Sequence, residues 1–454
     1  MHNRNRRTDM TLHHPRLQVD PHQPMVVTAD RTYTWGQVDD MAAQYRVKFN
    51  HLSKQRIGLT FHADGNGLAT LSALQALGCN IFLLPLDASD DYLQDVATRF
   101  ELTAIVKLPL DQSHEPELIL TGVDASKSQA ESGITILTSG TTGTPKAARH
   151  TLESLSKPTR VHESFLQTKW LLCYRPNLYA GLQVILQCLV NGGQLVVPNH
   201  GASPEQVAQL SADAGVQYAS ATPSYWRWLL TFAPKSILST IPFKQITLGG
   251  EIVDQHILSR LDALFPDARL VHIYATTELG RCFSVTDKQA GFPSKFLDKP
   301  SPDGVAMKIE NGELMVKSAN AMLNYDPRCG QKAMQSDWCA TGDLVKEENG
   351  RCYFMGRRHD MINVGGNKVS PVKVEETMMQ LDGIDDIRVY ARKSSIMGQL
   401  VACDIVAATG FDQAQLRQHL KAHCAEHLND YETPQLIKFV QTIQTSAAMK
   451  KVRH

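Results

Sequence analysis

Ile134-Thr135-Ile136-Leu137-Thr138-Ser139-Gly140-Thr141-Thr142-Gly143-Thr144-Pro145-Lys146 is the stretch around which the chain is organised. Its first four residues are apolar and β-branched, which predicts a buried strand. The strand breaks into a turn dense in hydroxyls and glycines. Gly140 and Gly143 tolerate positive φ and let backbone approach a ligand closely. Backbone N–H groups of such a turn make a concave anion site, to which Ser139, Thr141 and Thr142 add donors. Lys146 supplies a mobile positive charge. This predicts a loop that grips phosphate. It is not the P-loop G-x-x-x-x-G-K-[ST]: Pro145 stands where the second Gly belongs, and Ala147 where the Ser/Thr belongs. A plain surface turn would not explain why a strand, two glycines, several hydroxyls and a Pro-Lys pair coincide.

Working outward, 454 residues exceed one ordinary core, so two or more domains are expected. With 43% hydrophobic and 20% charged residues, the composition is that of a globular protein, and a net charge of +0 argues against a nucleic-acid surface built from bulk positive charge. Nine scattered cysteines form no C-x-x-C pair and no metal-site spacing, which fits a reducing cytoplasm. Residues 1–14 are polar and basic and read as a disordered lead-in rather than a secretory signal. Gly65 to Leu86 and Pro176 to Pro198 lack charges over a membrane-like length. Both are broken by Gly, Asn, Gln and Pro, and each reads as a helix followed by a buried strand, so no membrane span is expected.

Apolar runs recur at Met25–Thr28, Ile57–Phe61, Asn80–Leu86, Thr103–Leu108, Trp170–Cys173, Leu195–Pro198, Tyr218–Ala221, Gln245–Leu248 and Leu270–Tyr274, many separated by helical patterns. Such alternation predicts an α/β fold: a large multi-subdomain N-terminal domain with mostly parallel sheets, whose ligands gather at carboxyl ends of strands. From Met307 the texture turns to short β-like runs. Beyond Gly356 lies a separate α+β unit. The expected division is residues 15–357 and 358–454.

Four further motifs follow strand ends or turns. Leu248-Gly249-Gly250-Glu251 by itself is any strand-to-helix turn with an early Glu. Tyr274-Ala275-Thr276-Thr277-Glu278-Leu279-Gly280 by itself is a strand end with a capping Thr. Thr341-Gly342-Asp343-Leu344, with Gly356-Arg357 after it, is a short structural turn, and Val364-Gly365-Gly366-Asn367-Lys368-Val369-Ser370-Pro371, with Glu375 soon after, is a hairpin. In this order, together with residues 134–146, they resemble the adenylate-forming superfamily: acyl-CoA synthetases, peptide-synthetase adenylation domains and luciferases. The resemblance runs from roughly Val26 to the C-terminus.

It implies a cofactor set and roles. Thr138, Ser139, Gly140, Thr141, Thr142, Gly143 and Lys146 would surround the phosphates of ATP. Gly249, Gly250 and Glu251 would line the adenine and acyl pockets. Tyr274 would stack on adenine, Thr277 bond the α-phosphate, Glu278 hold Mg²⁺, Asp343 accept from the ribose hydroxyls, and Arg357 reach ribose or phosphate. Asn177, Tyr179, Gly249 and Gly280 would border the acid. Gly365 and Gly366 would pass the thiol arm of CoA or of a carrier protein's phosphopantetheine, and the small domain would turn at a hinge placed at His359.

The sequence departs from the family at that hinge, where Asp or Lys is usual. It also departs at Ala275, and at the final Gly-Lys-hydrophobic-x-Arg signature, which here reads Met449-Lys450-Lys451-Val452-Arg453. The Arg register favours Lys450 as the catalytic lysine and the hydrophobic register favours Lys451; the expectation is Lys450. Cys173 to Gly181 contains no Asp to pair with a substrate ammonium, which disfavours an α-amino acid and leaves aryl and fatty acids. Two rival readings share the fold: a nucleotide-binding pseudoenzyme and a luciferase-type oxidoreductase.

Overall fold

The structure, a computed structural model, describes residues 17–109, 115–124, 131–138, 145–329, 338–394, 397–446 and 448–453. Arg56–Thr60 and Asn80–Leu84 are buried at every position. Their apolar stretches, Ile57 to Leu59 and Ile81 to Leu84, suit central strands covered on both faces. They lie in a seven-stranded sheet with Gly133–Thr138 and Ala104–Lys107, all four parallel. Antiparallel neighbours finish it at both sides: Lys146–His150 and then Asn324–Tyr325 beyond Gly133–Thr138, and Glu117–Leu120 beyond Ala104–Lys107. An eight-stranded sheet carries Arg269–Thr276, Gln245–Gly249, Tyr218–Ala221, Lys169–Leu172, Gln194–Val196 and Pro24–Val27 in parallel. Gly280–Val285 and Thr32–Thr34 are its antiparallel edges.

The two charge-free stretches resolve into helix and strand, as expected. Gly65–Ala76 starts where the Asp64 carboxylate accepts from the Gly67 N–H at 2.8 Å, and Asn80–Leu84 follows it. Tyr179–Leu189 precedes Gln194–Val196. Among the described residues no helix is long and apolar enough to cross a membrane.

The expectation of mostly parallel sheets holds for these two sheets and is corrected elsewhere. A five-stranded sheet of Phe292–Pro293, Arg351–Arg357, Cys339–Glu348, Glu313–Ser318 and Val305–Glu310 is antiparallel throughout. Val305–Glu310 with Glu313–Ser318, and Cys339–Glu348 with Arg351–Arg357, are hairpins joined by two-residue turns, which leave no room for a crossover helix. From Ile362 onward the chain builds its own sheet. Ile384–Ser394 and Gly398–Ala407 form its long hairpin, with Ile362–Val364, Asn367–Val369 and Leu436–Phe439 beside it. Pro371–Met378 and Gln413–His427 pack on this sheet around a core that includes Ile387, Val389, Leu416 and Leu420.

Candidate active site

Of the phosphate-loop residues, Ser139, Gly140, Thr141, Thr142 and Gly143 lie outside the described residues, as does the lead-in 1–14. The stem of the loop is described. Thr138 ends its strand directly opposite Lys146, and Lys146 opens the returning strand. That strand was hidden in the sequence because Lys146, Arg149 and His150 make it polar; pairing with a buried neighbour overrides the pattern.

His150 is fully buried, and its Nε2–H donates to the Thr277 carbonyl at 3.0 Å, while Ser154 Oγ lies 3.4 Å from Nδ1. A carbonyl only accepts, so in the neutral ring the proton sits on Nε2. Burial lowers the His150 pKa to about 4, in accord with that tautomer. The ring thus anchors the backbone of the Thr277-Glu278 pair. Glu278 is held a second way: the Tyr325 hydroxyl donates to its Oε1 at 2.9 Å, and Lys146 Nζ sits 5.8 Å from the centre of the Tyr325 ring. Burial, then the Glu278 charge, raises the Tyr325 phenol well above its ordinary value, so it stays a donor. Tyr325 links the loop lysine to the carboxylate, a role the sequence did not reveal. It arises because Asn324–Tyr325 pairs with Ala148 and Arg149, far away in the chain.

Tyr274 directs its hydroxyl to Asp343 Oδ2 at 2.6 Å. Its ring stacks with Phe283 and Phe354, centroids 5.4 and 5.1 Å away. Those two rings are 6.5 Å apart, too near each other to cover opposite faces of the tyrosine. Asp343 pairs across the sheet with Arg357, whose Nε is 3.3 Å from Oδ1. Thr341 and Gly342 fix the turn by bonding the Leu314 carbonyl and the Glu313 carboxylate.

At Gly249 and Gly250 the backbone turns. Gly249 accepts from the Tyr174 hydroxyl at 3.1 Å, and Gly250 takes a φ of +83°, a region that favours glycine. The Lys450 side chain runs over Gly250: a Cβ added there would stand 3.4 Å from Lys450 Cε and 3.7 Å from Nζ. Burial, then the Arg357 charge, lowers the Lys450 ammonium below the ordinary lysine value, while Glu251, Asp343 and Glu278 act to raise it. Five candidate residues therefore share one electrostatic neighbourhood. Glu251 is already engaged, accepting from Ser224 N–H at 2.9 Å and Lys451 N–H at 2.8 Å.

Lys450 reaches this position from a turned tail in which Thr445 bridges Lys451 and Met449 has a φ of +53°. Thr222 Oγ1 donates to the Met449 carbonyl at 2.7 Å. Lys451 points the other way, its Nζ bonded to Asp386 at 2.8 Å and to the Ile387 carbonyl at 2.5 Å.

Asn177 is buried, and Tyr179 opens the helix Tyr179–Leu189 with its ring 5.7 Å from that of His150. Gly280, with a φ of +71°, lies beside that ring, since a Cβ there would stand 3.2 Å from the Tyr179 hydroxyl. Gly365 and Gly366 form the tip of a hairpin, the Gly365 N–H donating to the Met397 carbonyl and the Gly366 N–H to Asn363 Oδ1. His359 lies in the single turn Arg358–Asp360, 3.3 Å from Asp360. Among the described residues no group of three or more His, Cys, Asp or Glu could hold a metal ion. A single carboxylate such as Glu278 is still an adequate protein ligand for Mg²⁺, which keeps waters and takes its other ligands from phosphates.

The fold and the family matches place the chain in the adenylate-forming superfamily. The AMP-binding enzyme family matches residues 84–325 and its C-terminal domain residues 373–450, so the chain belongs to that family. Among curated relatives, the 2-succinylbenzoate–CoA ligase of Geobacillus sp. is 28% identical over 226 residues, covering 49% of this chain and 43% of the relative. The ligase of the same name from Listeria monocytogenes is 24% identical over 380 residues, 81% and 76%. The long-chain-fatty-acid–CoA ligase FadD13 of Mycobacterium tuberculosis is 26% identical over 325 residues, 67% and 63%. The chain thus spans under half, about three quarters and just under two thirds of these relatives. The solved anthranilate CoA ligase AuaEII, in complex with anthranoyl-AMP, superposes with a TM-score of 0.78 at 18% identity over 98% of this chain and 96% of that one. That likeness is one of fold.

Proposed function

We propose that the protein joins a carboxylic acid to a thiol at the expense of ATP. In the first step a carboxylate oxygen attacks the α-phosphorus, an acyl–phosphate bond forms, and pyrophosphate leaves. In the second a thiol sulfur attacks the acyl carbon, AMP leaves, and the thiol proton passes to solvent. The observation that carries this reading is the Lys450 side chain, brought from the tail across Gly250 into the neighbourhood of Glu278 and Asp343. An ammonium there would stabilise negative charge that develops on phosphate oxygens. A pseudoenzyme would have no need of it.

Each residue has a task on this reading. Lys146 and Lys450 place two cations on the phosphates. Thr277, its backbone fixed by His150, donates to the α-phosphate, and Asp343 and Arg357 take the ribose. The exposed part of Tyr274, away from the two phenylalanines, receives adenine. Glu278 would hold Mg²⁺, which when bound screens phosphate charge. The acid needs no general base, being ionised near neutral pH. The chain divides functionally after Arg357, where the antiparallel sheet ends, and His359 in the following turn serves as the hinge by which Lys450 withdraws and the Gly365-Gly366 hairpin swings in with the thiol. The nine free cysteines fit a reducing cytoplasm.

The relatives' names point to aryl and fatty acids. The acceptor is CoA on the strength of the same names, or a carrier protein's phosphopantetheine, which presents the same thiol arm. The test is pyrophosphate exchange with a panel of 2-succinylbenzoate, anthranilate, benzoate and fatty acids of graded length, run with and without CoA. An acid that supports exchange and yields a thioester is expected. Lys450→Ala should lower exchange by about 10²–10³-fold, as for comparable electrostatic donors, and spare thiolysis of supplied acyl-AMP. Undiminished exchange in that variant refutes the reading of Lys450.

A further inference from the structure

We infer that Asp386 is a positioning residue for the first half-reaction: it is the carboxylate shared by a buried arginine of the large domain and a buried lysine of the tail, and so holds Lys450 at the site. This rests on the reading of Lys450 given above. Arg227 lies on the helix Pro223–Phe232 with its side chain 4% exposed. It is ion-paired to Asp254, which caps the helix Gln255–Leu264, and its Nε stands 3.7 Å from Asp386 Oδ1. That Nε is buried and makes no hydrogen bond among the described residues, so the Asp386 carboxylate is the group placed to answer it.

The same Oδ1 takes Lys451 Nζ at 2.8 Å. Lys451 is only 8% exposed, although it occupies the register where the family signature has a hydrophobic residue. A lysine buried there requires a counter-charge. Its backbone N–H is bonded to Glu251, so the residue directly after Lys450 is fixed at both ends. Arg260 adds a second link across the same boundary, 3.5 Å from Asp385.

The arrangement of charge makes the contact separable. Arg227 and Asp254 belong to the large domain, Asp386 and Lys451 to the small one. Parting the domains leaves Arg227 with Asp254 and Lys451 with Asp386, while the Arg260–Asp385 pair is split. While they are together, Asp386 lies between two cations that would otherwise repel. Asp386→Asn leaves Lys451 and Arg227 facing each other without a carboxylate between, which opposes docking of the tail. Lys451→Met keeps the aliphatic stem, removes that repulsion and leaves Asp386 to Arg227, so docking survives.

Both variants and Asp386→Glu, made in the full chain, test this by two measurements. The first compares pyrophosphate exchange with thiolysis of supplied acyl-AMP, using whichever panel acid supports exchange. Asp386→Asn should lose about tenfold or more in exchange while thiolysis stays within about twofold; Asp386→Glu should recover part of the loss, and Lys451→Met should keep exchange within about threefold. The second is hydrogen exchange of the peptides covering 440–453 and 222–228, which needs no substrate: Asp386→Asn should lose protection there and nowhere else, and Lys451→Met should retain it. Equal loss in both half-reactions, or unchanged tail protection in Asp386→Asn, overturns the inference. If no acid supports exchange, the functional reading fails by itself and the protection pattern still decides the role of Asp386.

Discussion

Replacing Asp343 separates its proposed ribose contact from a structural one. In the free protein its carboxylate accepts from the Tyr274 hydroxyl at 2.6 Å and from Arg357 Nε at 3.3 Å, with only 13% of the side chain exposed. Asp343→Ala strands the Tyr274 hydroxyl in a largely buried site, which costs about 1–3 kcal/mol of stability. The Arg357 pair adds little, because the arginine is 51% exposed and water screens it. On the proposed reading the same substitution also removes a charged acceptor from the ribose, about 1.5–3 kcal/mol, or roughly 10- to 100-fold in the KM for ATP. Asp343→Asn keeps an oxygen for Tyr274 and loses the charge. It should therefore be near wild type in thermal unfolding and still show a raised KM for ATP. Tyr274→Phe should show the reverse: a stability loss of about 1 kcal/mol with a KM within about threefold, since the carboxylate remains for ribose. Urea unfolding and pyrophosphate exchange at varied ATP measure both quantities. If Asp343→Asn has the wild-type KM, or if KM follows stability across the three variants, Asp343 does not hold ribose.

Two more outcomes are expected. Glu278→Ala should abolish the advantage of saturating over limiting Mg²⁺ in exchange and cost no more than about 1–3 kcal/mol of stability, the value of the lost Tyr325 bond; unchanged exchange at limiting Mg²⁺ counts against the metal role. For His150, the folded pKa of about 4 lies below the unfolded value of 6.5, so its contribution is complete above pH 6.5 and is lost as pH falls toward 4. Relative to His150→Gln, the wild type should lose up to about 3 kcal/mol over that window, read from unfolding curves at each pH; a constant difference would mean that the ring titrates alike in the folded and unfolded chain.

Local pattern announced much of this chain by itself. Ile134 to Leu137 and Ile246 to Leu248 are strands because unbroken β-branched and apolar residues can bury on both faces, and periodicity is a property of neighbours in sequence. The Tyr274–Gly280 and Thr341–Leu344 motifs are likewise contiguous, so their residue types could be read before any fold was known. Tertiary structure decided what depended on distant partners. Lys146–His150 is a strand only because Gly133–Thr138 lies beside it. Tyr325 meets Glu278, and His150 meets the Thr277 carbonyl, across 47 and 127 residues. Between two adjacent lysines the sequence offered two registers. The fold turns Lys450 toward Gly250 and Lys451 toward Asp386, because the tail is pinned by Thr222 and Glu251 on one domain and by Asp386 on the other. A side chain's direction at a turned tail is set by such anchors, and no pattern within the last ten residues encodes them.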